Sequence, residues 1–365
     1  MTQPSTSIQS FTSIASLPTM SCIKDVDKLK QVTDLYPMRI PQYYLDLIDK
    51  NDPNDPIARM CIPSVAELSQ SGSFDTSGEQ KNTKQHGLQH KYRQTALILS
   101  TNICAMYCRH CFRKRMVGLT TEEMAHQLDQ AVDYVKRHPE ITNVLISGGD
   151  SLMLPNQIID RYLQEFSALD SLDLIRFGTR VPVVFPERID QELISIFKNY
   201  IHTKQIYLVT QFNHPRELTP QAITAVKSFI EIGVQVRNQT VLLRGVNDRP
   251  TILGSLLSGL TKIGVVPYYI FQCRPVTGVR ERFQVPLLDG IRIVDHAKNM
   301  QNGIGKGVRY AMSHPRGKIE ILGTISDNQA LFKFHQAAHS RDNSRLFTAH
   351  LTPKSTWLDE NLNAI

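Results

Sequence analysis

The chain has 365 residues, 41% of them hydrophobic, which is enough for one large α/β domain with appendages or for two ordinary domains. Lys plus Arg outnumber Asp plus Glu by 41 to 34, a formal charge of +7, but no block of five like charges occurs. That spread argues against a nucleic-acid partner and for anionic small ligands such as phosphates and carboxylates. There is no apolar run of roughly eighteen residues and no charged n-region before an apolar stretch. Neither a membrane span nor a secretory signal is therefore readable, and the cytoplasm is the expected compartment.

The uncharged first 23 residues read as a loosely ordered leader. Short helices are expected around Pro41–Lys50 and Ser64–Ser69, and the nearly apolar-free stretch Ser71–His90 reads as a loop or linker. From Thr95 the rhythm changes to apolar runs alternating with segments of helical period. Six strands are predicted: Thr95–Thr101, Asn143–Ser147, Asp173–Gly178, Gln205–Gln211, Gln235–Leu243 and Val265–Gln272. Between the first two, Leu119–Lys136 reads as a helix opened by a capping box of Thr120 and Glu123, with Met124, Leu128, Ala131, Val132 and Val135 as its apolar stripe. Thr219, Pro220 and Gly233 mark the two ends of another helix. Alternation of this kind demands right-handed crossovers and a parallel sheet, either open and doubly wound or curled into an incomplete barrel. After about residue 303 the rhythm lapses into a turn, a strand at Lys318–Thr324 and a polar tail with the single Trp357. The domains expected are a leader and helical cover over residues 1–90, the sheet unit over 91–303 and a C-terminal segment over 304–365.

Three of the six cysteines, Cys104, Cys108 and Cys111, are spaced C-x3-C-x2-C directly after the first predicted strand. A loop there lies at the carboxyl edge of a parallel sheet, where ligands bind. Three thiolates can hold three irons of a cubane and leave the fourth open to a ligand. Structural zinc normally takes four ligands in paired knuckles, and no second knuckle exists; His110, next to Cys111, would be a strained ligand. Core packing of three thiols is the remaining reading, opposed by the polar company of Arg109, His110, Arg113, Lys114 and Arg115. Polar groups follow the other strands at the same edge: Ser147-Gly148-Gly149-Asp150, Thr179-Arg180, Asn213-His214 and Gln272 to Arg274. A ligand pocket belongs there.

The cysteine triplet, with Tyr107 before the second Cys, resembles the signature of the radical S-adenosylmethionine (SAM) superfamily. The longer strings MYCRHCFRKR, LISGGDSLML, RFGTRVPVVFPERI, FNHPREL, RNQTVLLRGVND and PYYIFQC, together with DPIARMCIPS, resemble the lysine 2,3-aminomutase family in order along the chain. The resemblance implies an α/β fold, an incomplete (βα)6 radical-SAM barrel with an N-terminal helical cover and a short C-terminal extension. It implies a 4Fe–4S cluster on Cys104, Cys108 and Cys111, and SAM lined by Gly148, Gly149, Asp150, Arg180 and His214. It further implies pyridoxal 5'-phosphate (PLP) held covalently by Lys318, with Lys91, Tyr92 and Gln239 as cofactor contacts, and Arg113 on the substrate α-carboxylate. The implied reaction is migration of an amino group between C2 and C3 of an amino acid, started by a 5′-deoxyadenosyl radical. A flavodoxin or ferredoxin would donate the electron, and the family often forms homo-oligomers.

This sequence departs from the free-lysine enzymes where two aspartates hold the substrate ammonium, having Arg274 at one place and Ser313-His314 at the other. A guanidinium there repels an ammonium and suits an acidic side chain such as that of glutamate. Phe271 and Thr95 stand where the family usually offers Tyr and Arg toward PLP. The competing functions are a mutase acting on a protein lysine, of the elongation factor P type, a radical enzyme lacking PLP, and a non-catalytic Fe–S or zinc sensor.

Overall fold

The computed structural model describes residues 8–121, 123–124 and 128–365. All six predicted strands form, and each begins and ends within a residue or two of its predicted bounds. In chain order they are β3 (Thr95–Thr101), β4 (Asn143–Gly148), β5 (Leu174–Gly178), β6 (Gln205–Thr210), β7 (Gln235–Leu242) and β8 (Val266–Gln272). Each pairs in parallel with the next, so the order in space is the order in sequence. The connecting helices are α1 (Leu128–Arg137), α2 (Asn156–Ser167), α3 (Gln191–Tyr200), α4 (Pro220–Glu231) and α5 (Pro250–Lys262). A sixth, α6 (Leu287–Asn299), leads to a seventh parallel strand, β9 (Arg309–His314). Among the described residues the ladder does not close on itself. Beyond β3 the edge is taken by an antiparallel hairpin, β1 (Thr83–Gln85) and β2 (Leu88–Tyr92). Beyond β9 it continues as an antiparallel meander of β10 (Gly317–Ser326), β11 (Gln329–Ala337) and β12 (Leu346–His350).

Strand alternation explains how one sheet serves two purposes. In β7, Val236, Asn238, Thr240 and Leu242 are buried, while Arg237, Gln239 and Val241 face the half-open interior. The helices hold their places through local chemistry. Thr219 accepts from the Ala222 amide at the start of α4, whose first residue is Pro220, and Gly233 beyond its end has φ +97°.

Three expectations need correction. The helix read from Leu119 is non-helical over 119–121 and at Glu123 and Met124; the Glu123 carboxylate accepts from Arg115 at 2.6 and 3.1 Å, and Met124 is buried beside Leu99, Met116 and Val117. A tertiary ion pair and a tertiary apolar contact thus outweigh the local capping box, part of whose helix falls on residues outside those described. The stretch Ser71–His90 contains a helical turn, Glu79–Asn82, and the β1–β2 hairpin in addition to loop. The polar tail contains two further strands: β11 and β12 bury Ala330, Phe332, Phe334 and Ala349 against Trp357 and Leu351 in a second apolar core beneath α5 and α6.

The N-terminal cover is tied down by a buried carboxylate. Ser64 and Glu67 form a capping box on a single helical turn, Val65–Leu68. The Glu67 carboxylate lies 2.5 Å from Arg109, 2.6 Å from Lys114 and 3.4 Å from Arg282. Burial alone would raise its pKa, but Arg109, Lys114 and Arg282 outweigh burial and hold it down at about 2. Its contribution to stability is therefore complete above the ordinary carboxyl range and is lost as pH falls toward 2. Replacing it with glutamine strands three cations at a buried site. E67Q is expected to cost on the order of 3–5 kcal/mol, read as a lowered urea midpoint with an unchanged slope.

Candidate active site

One cavity of about 380 Å³ opens at the carboxyl ends of the parallel strands. Cys104, Cys108 and Cys111 line it, on the loop that leaves β3. Gly148 and Gly149, at the end of β4, hold that loop in place. A Cβ on Gly148, whose φ is +119°, would sit 2.3 Å from the Thr101 carbonyl oxygen, and one on Gly149 would sit 2.4 Å from that of Ile103. The Gly149 and Asp150 amides donate to the same two carbonyls, at 2.5 and 2.9 Å. Both glycines are needed where two backbones touch. The Asp150 side chain braces a neighbour in turn: its carboxylate accepts from Thr179 Oγ1 at 2.5 Å, the Arg180 amide at 2.6 Å and the Leu152 amide at 3.1 Å.

The other predicted residues divide. Arg180, Lys91, Tyr92, Gln239, Arg113, Arg274 and Lys318 all line the cavity. His214 does not; its Nδ1 accepts from the Arg216 amide and caps the turn Pro215–Glu217, so the ring serves its own loop. The reading from strand ends located the edge correctly but could not give the side chain's direction.

Lys318 is the second residue of β10, just after the tight hairpin from β9, where Gly317 has φ +151° and a Cβ would meet the Gln336 carbonyl oxygen at 2.2 Å. Its Nζ lies 4.3 Å from the Tyr269 ring centroid, and no acid pairs with it among the described residues. Burial, then Arg176, Arg274 and Lys91, push its pKa down to about 7. Lys91, also lowered to about 7 by burial and Arg274, donates to the carbonyls of Ser77 and His314 at 3.1 and 2.6 Å. Arg274 stacks over Phe112 at 4.1 Å and spends one donor on Ser77 Oγ. Arg113 is more fully engaged, with Nε and Nη2 on Glu79 at 3.0 and 2.9 Å and Nη1 on the Gly148 carbonyl at 3.3 Å.

Glu79 is the site residue that sequence reading missed. It is buried in the cavity wall and also binds Arg115 at 2.8 Å; against the upward push of burial, Arg113 and Arg115 hold its pKa at about 2. One signal was available: the run Arg113-Lys114-Arg115 beside a cavity requires acids from elsewhere in the chain, and Glu67 and Glu79 both lie in the N-terminal segment.

The residues suit the implied cofactors. Three free thiols share one cavity, and burial raises Cys104 strongly and Cys111 to about 11, so cations of high charge would be needed to keep them as thiolates. Near Lys318, the cations Lys91, Arg176 and Arg274 exceed the nearby acids, and Arg176 Nε is buried without a partner, an arrangement fit for a phosphate dianion.

Residues 98–252 match the model of the Radical SAM superfamily, which defines the class of protein. The relatives specify the branch. An L-lysine 2,3-aminomutase homologue from Aquifex aeolicus is 39% identical over 337 residues, 91% of this chain and 90% of its own length. L-lysine 2,3-aminomutase from Clostridium subterminale is 38% identical over 73% of this chain, which spans 64% of that enzyme. Glutamate 2,3-aminomutase from Clostridioides difficile is 34% identical over 80% of this chain and 69% of its own. This chain belongs to the lysine 2,3-aminomutase family of radical SAM enzymes. The cofactors of that family are a 4Fe–4S cluster, SAM and PLP. Among the described residues no helix is long and apolar enough to cross a membrane.

Proposed function

We infer that this protein moves the amino group of a free acidic amino acid, glutamate being the leading candidate, between C2 and C3. The observation that carries the substrate assignment is Arg274. It stands in the cavity where the free-lysine enzymes have an aspartate, it spends one donor on Ser77, and it leaves others for a ligand. The carboxylates at the cavity offset it only in part: Glu79, which also attracts Arg274, is bound to Arg113 and Arg115, and Asp150 to Thr179 and Arg180. A substrate ammonium would meet a guanidinium only partly compensated by Glu79, whereas a carboxylate would form a charge-assisted pair. The same argument disfavours a lysine side chain, free or on a protein.

In this reading Cys104, Cys108 and Cys111 hold the cluster, Lys318 holds PLP with Lys91, Tyr92 and Gln239 around it, and Arg113 orients the α-carboxylate. When bound, the cluster and SAM supply hydrogen-atom abstraction, and PLP supplies the π-system over which an amino group can cross. The protein contributes a buried Lys318 amine whose pKa is lowered to about 7, so that about half of it is neutral near pH 7, and two arginines that fix the ends of a dicarboxylate. The six free cysteines suit a reducing cytoplasm, and a flavodoxin or ferredoxin is the fitting electron source.

The test is anaerobic turnover of reconstituted protein with lysine, glutamate or aspartate, products being separated and identified by mass. A β-amino acid from glutamate and none from lysine is expected; the reverse would overturn the substrate assignment. R274D should lower kcat/KM for glutamate by roughly 30-fold or more, the equivalent of at least about 2 kcal/mol for a lost buried charge pair.

A further inference from the structure

Arg180 reaches from the end of β5 to one of the three cysteine sulfurs. Its Nη1 donates to Cys108 Sγ at 2.9 Å, and its Nε donates to the Gln211 carbonyl at 3.1 Å. Nη2 donates to Glu217 Oε1 at 2.5 Å and to Tyr44 Oη at 3.2 Å. Behind it, the fully buried Glu217 is itself fixed. Its Oε1 accepts from Tyr44 Oη at 2.6 Å, and its Oε2 accepts from the Asn213 and His214 amides at 2.6 and 3.0 Å. The guanidinium therefore has little freedom to turn away from the sulfur. At 7% exposure, water does not compete for it.

An arginine serving only to build this corner would be satisfied by Glu217, Tyr44 and the Gln211 carbonyl. The contact to Cys108 adds nothing to such a role, but it has a definite chemical consequence at a metal-bound thiolate. Hydrogen bonds to the sulfurs are among the factors that set the reduction potential of an Fe–S cluster. The reduced form carries one more electron, much of it delocalised onto sulfur, so a donor at sulfur stabilises the reduced form more than the oxidised one. We propose that Arg180, held by Glu217 and Tyr44, raises the potential of the cluster through its hydrogen bond to Cys108. A low-potential one-electron carrier can then deliver the single electron that reduction requires. No bond within the protein is made or broken in that step. The proposal rests on the cluster assignment above, and it adds a role toward the cluster to the place of Arg180 in the cavity lining. Tyr44 and Glu217 become positioning residues for that donor.

The test uses the full chain, reconstituted anaerobically as parent, R180K, R180Q and Y44F. Iron and sulfide per chain are measured first, and the midpoint potential is then read by electron paramagnetic resonance during titration with dithionite. R180K keeps the charge but loses the fixed fork, so it isolates the hydrogen bond; R180Q removes the charge as well. Normal iron content with midpoints falling from parent through Y44F and R180K to R180Q is the expected result. Full iron loading with the parent's midpoint in R180K and R180Q would overturn the proposal. So would loss of iron in R180Q alongside an unshifted midpoint in R180K and Y44F, because Arg180 would then serve only to build the loop. If the parent takes up no iron, it is the cluster assignment that fails.

Discussion

Replacing any one of Cys104, Cys108 and Cys111 with alanine is expected to abolish reductive cleavage of SAM, by at least about 1,000-fold, while the protein stays folded. The expected size follows from the chemistry: with two thiolates the cubane loses a ligand it cannot replace from this loop, and the open iron loses its fixed geometry. The fold has little stake in these residues. The three side chains are only partly buried and line the cavity; Cys108 touches the edge of the main apolar core, and Cys104 and Cys111 touch a smaller cluster, without any of them filling either. Iron and sulfide per chain, measured after anaerobic reconstitution, should fall sharply in all three variants, with thermal midpoints within a few degrees of the parent. C22A provides the control. Cys22 lies in the N-terminal segment, away from the cavity lining, so full iron content is expected. A zinc site would behave differently: the parent would take up zinc in preference to iron and show no SAM cleavage under reduction.

The amount legible in the sequence varied along the chain for physical reasons. The β3–β8 strands were legible because each is a short, largely apolar run bounded by polar turns, with roughly alternate residues in the core. The cysteine triplet was legible because its spacing is local; Gly148-Gly149-Asp150 was legible as a motif at a strand end, although its contacts, to Thr101, Ile103, Thr179 and Arg180, lie far away in the chain. The contribution of Glu79 was not, because it exists only in relation to Arg113 and Arg115, which lie 34 and 36 residues further on. Arg180 was assigned to the correct edge, yet its tie to Cys108 spans 72 residues and leaves no trace in local spacing. The β11 and β12 strands were hidden for another reason. In β11 the buried Ala330, Phe332 and Phe334 are separated by partly exposed residues, and β12 buries only Ala349, so next to a chain end both read as a polar tail until Trp357 and Leu351 are seen to close the core beneath them.

Lys318 carries the second large expectation. After loading with PLP and reduction with borohydride, the stable adduct should map to the peptide containing Lys318, and both K318A and K318R should lose it along with all aminomutase turnover. Arginine preserves the positive charge but offers no nucleophilic amine, so K318R separates the covalent role from an electrostatic one. Other lysines can react with an aldehyde, and pH distinguishes them. The buried amine, held at about 7 by desolvation and by Arg176, Arg274 and Lys91, is half neutral near pH 7. Its capture of the cofactor should rise about tenfold between pH 6 and pH 8 and then level off. An exposed lysine titrating near its ordinary value continues to gain about tenfold per pH unit across that range and beyond. The linkage runs in the same direction. Between pH 7 and the ordinary lysine range the unfolded chain holds a proton that the folded one has released, so this residue's contribution to stability grows as pH rises and is lost as pH falls through 7. A label on Lys318 that continues to climb steeply above pH 8 would mean that the amine is not desolvated as the cavity implies. A label confined to Lys91 would transfer the covalent role to the other buried lysine in the same wall.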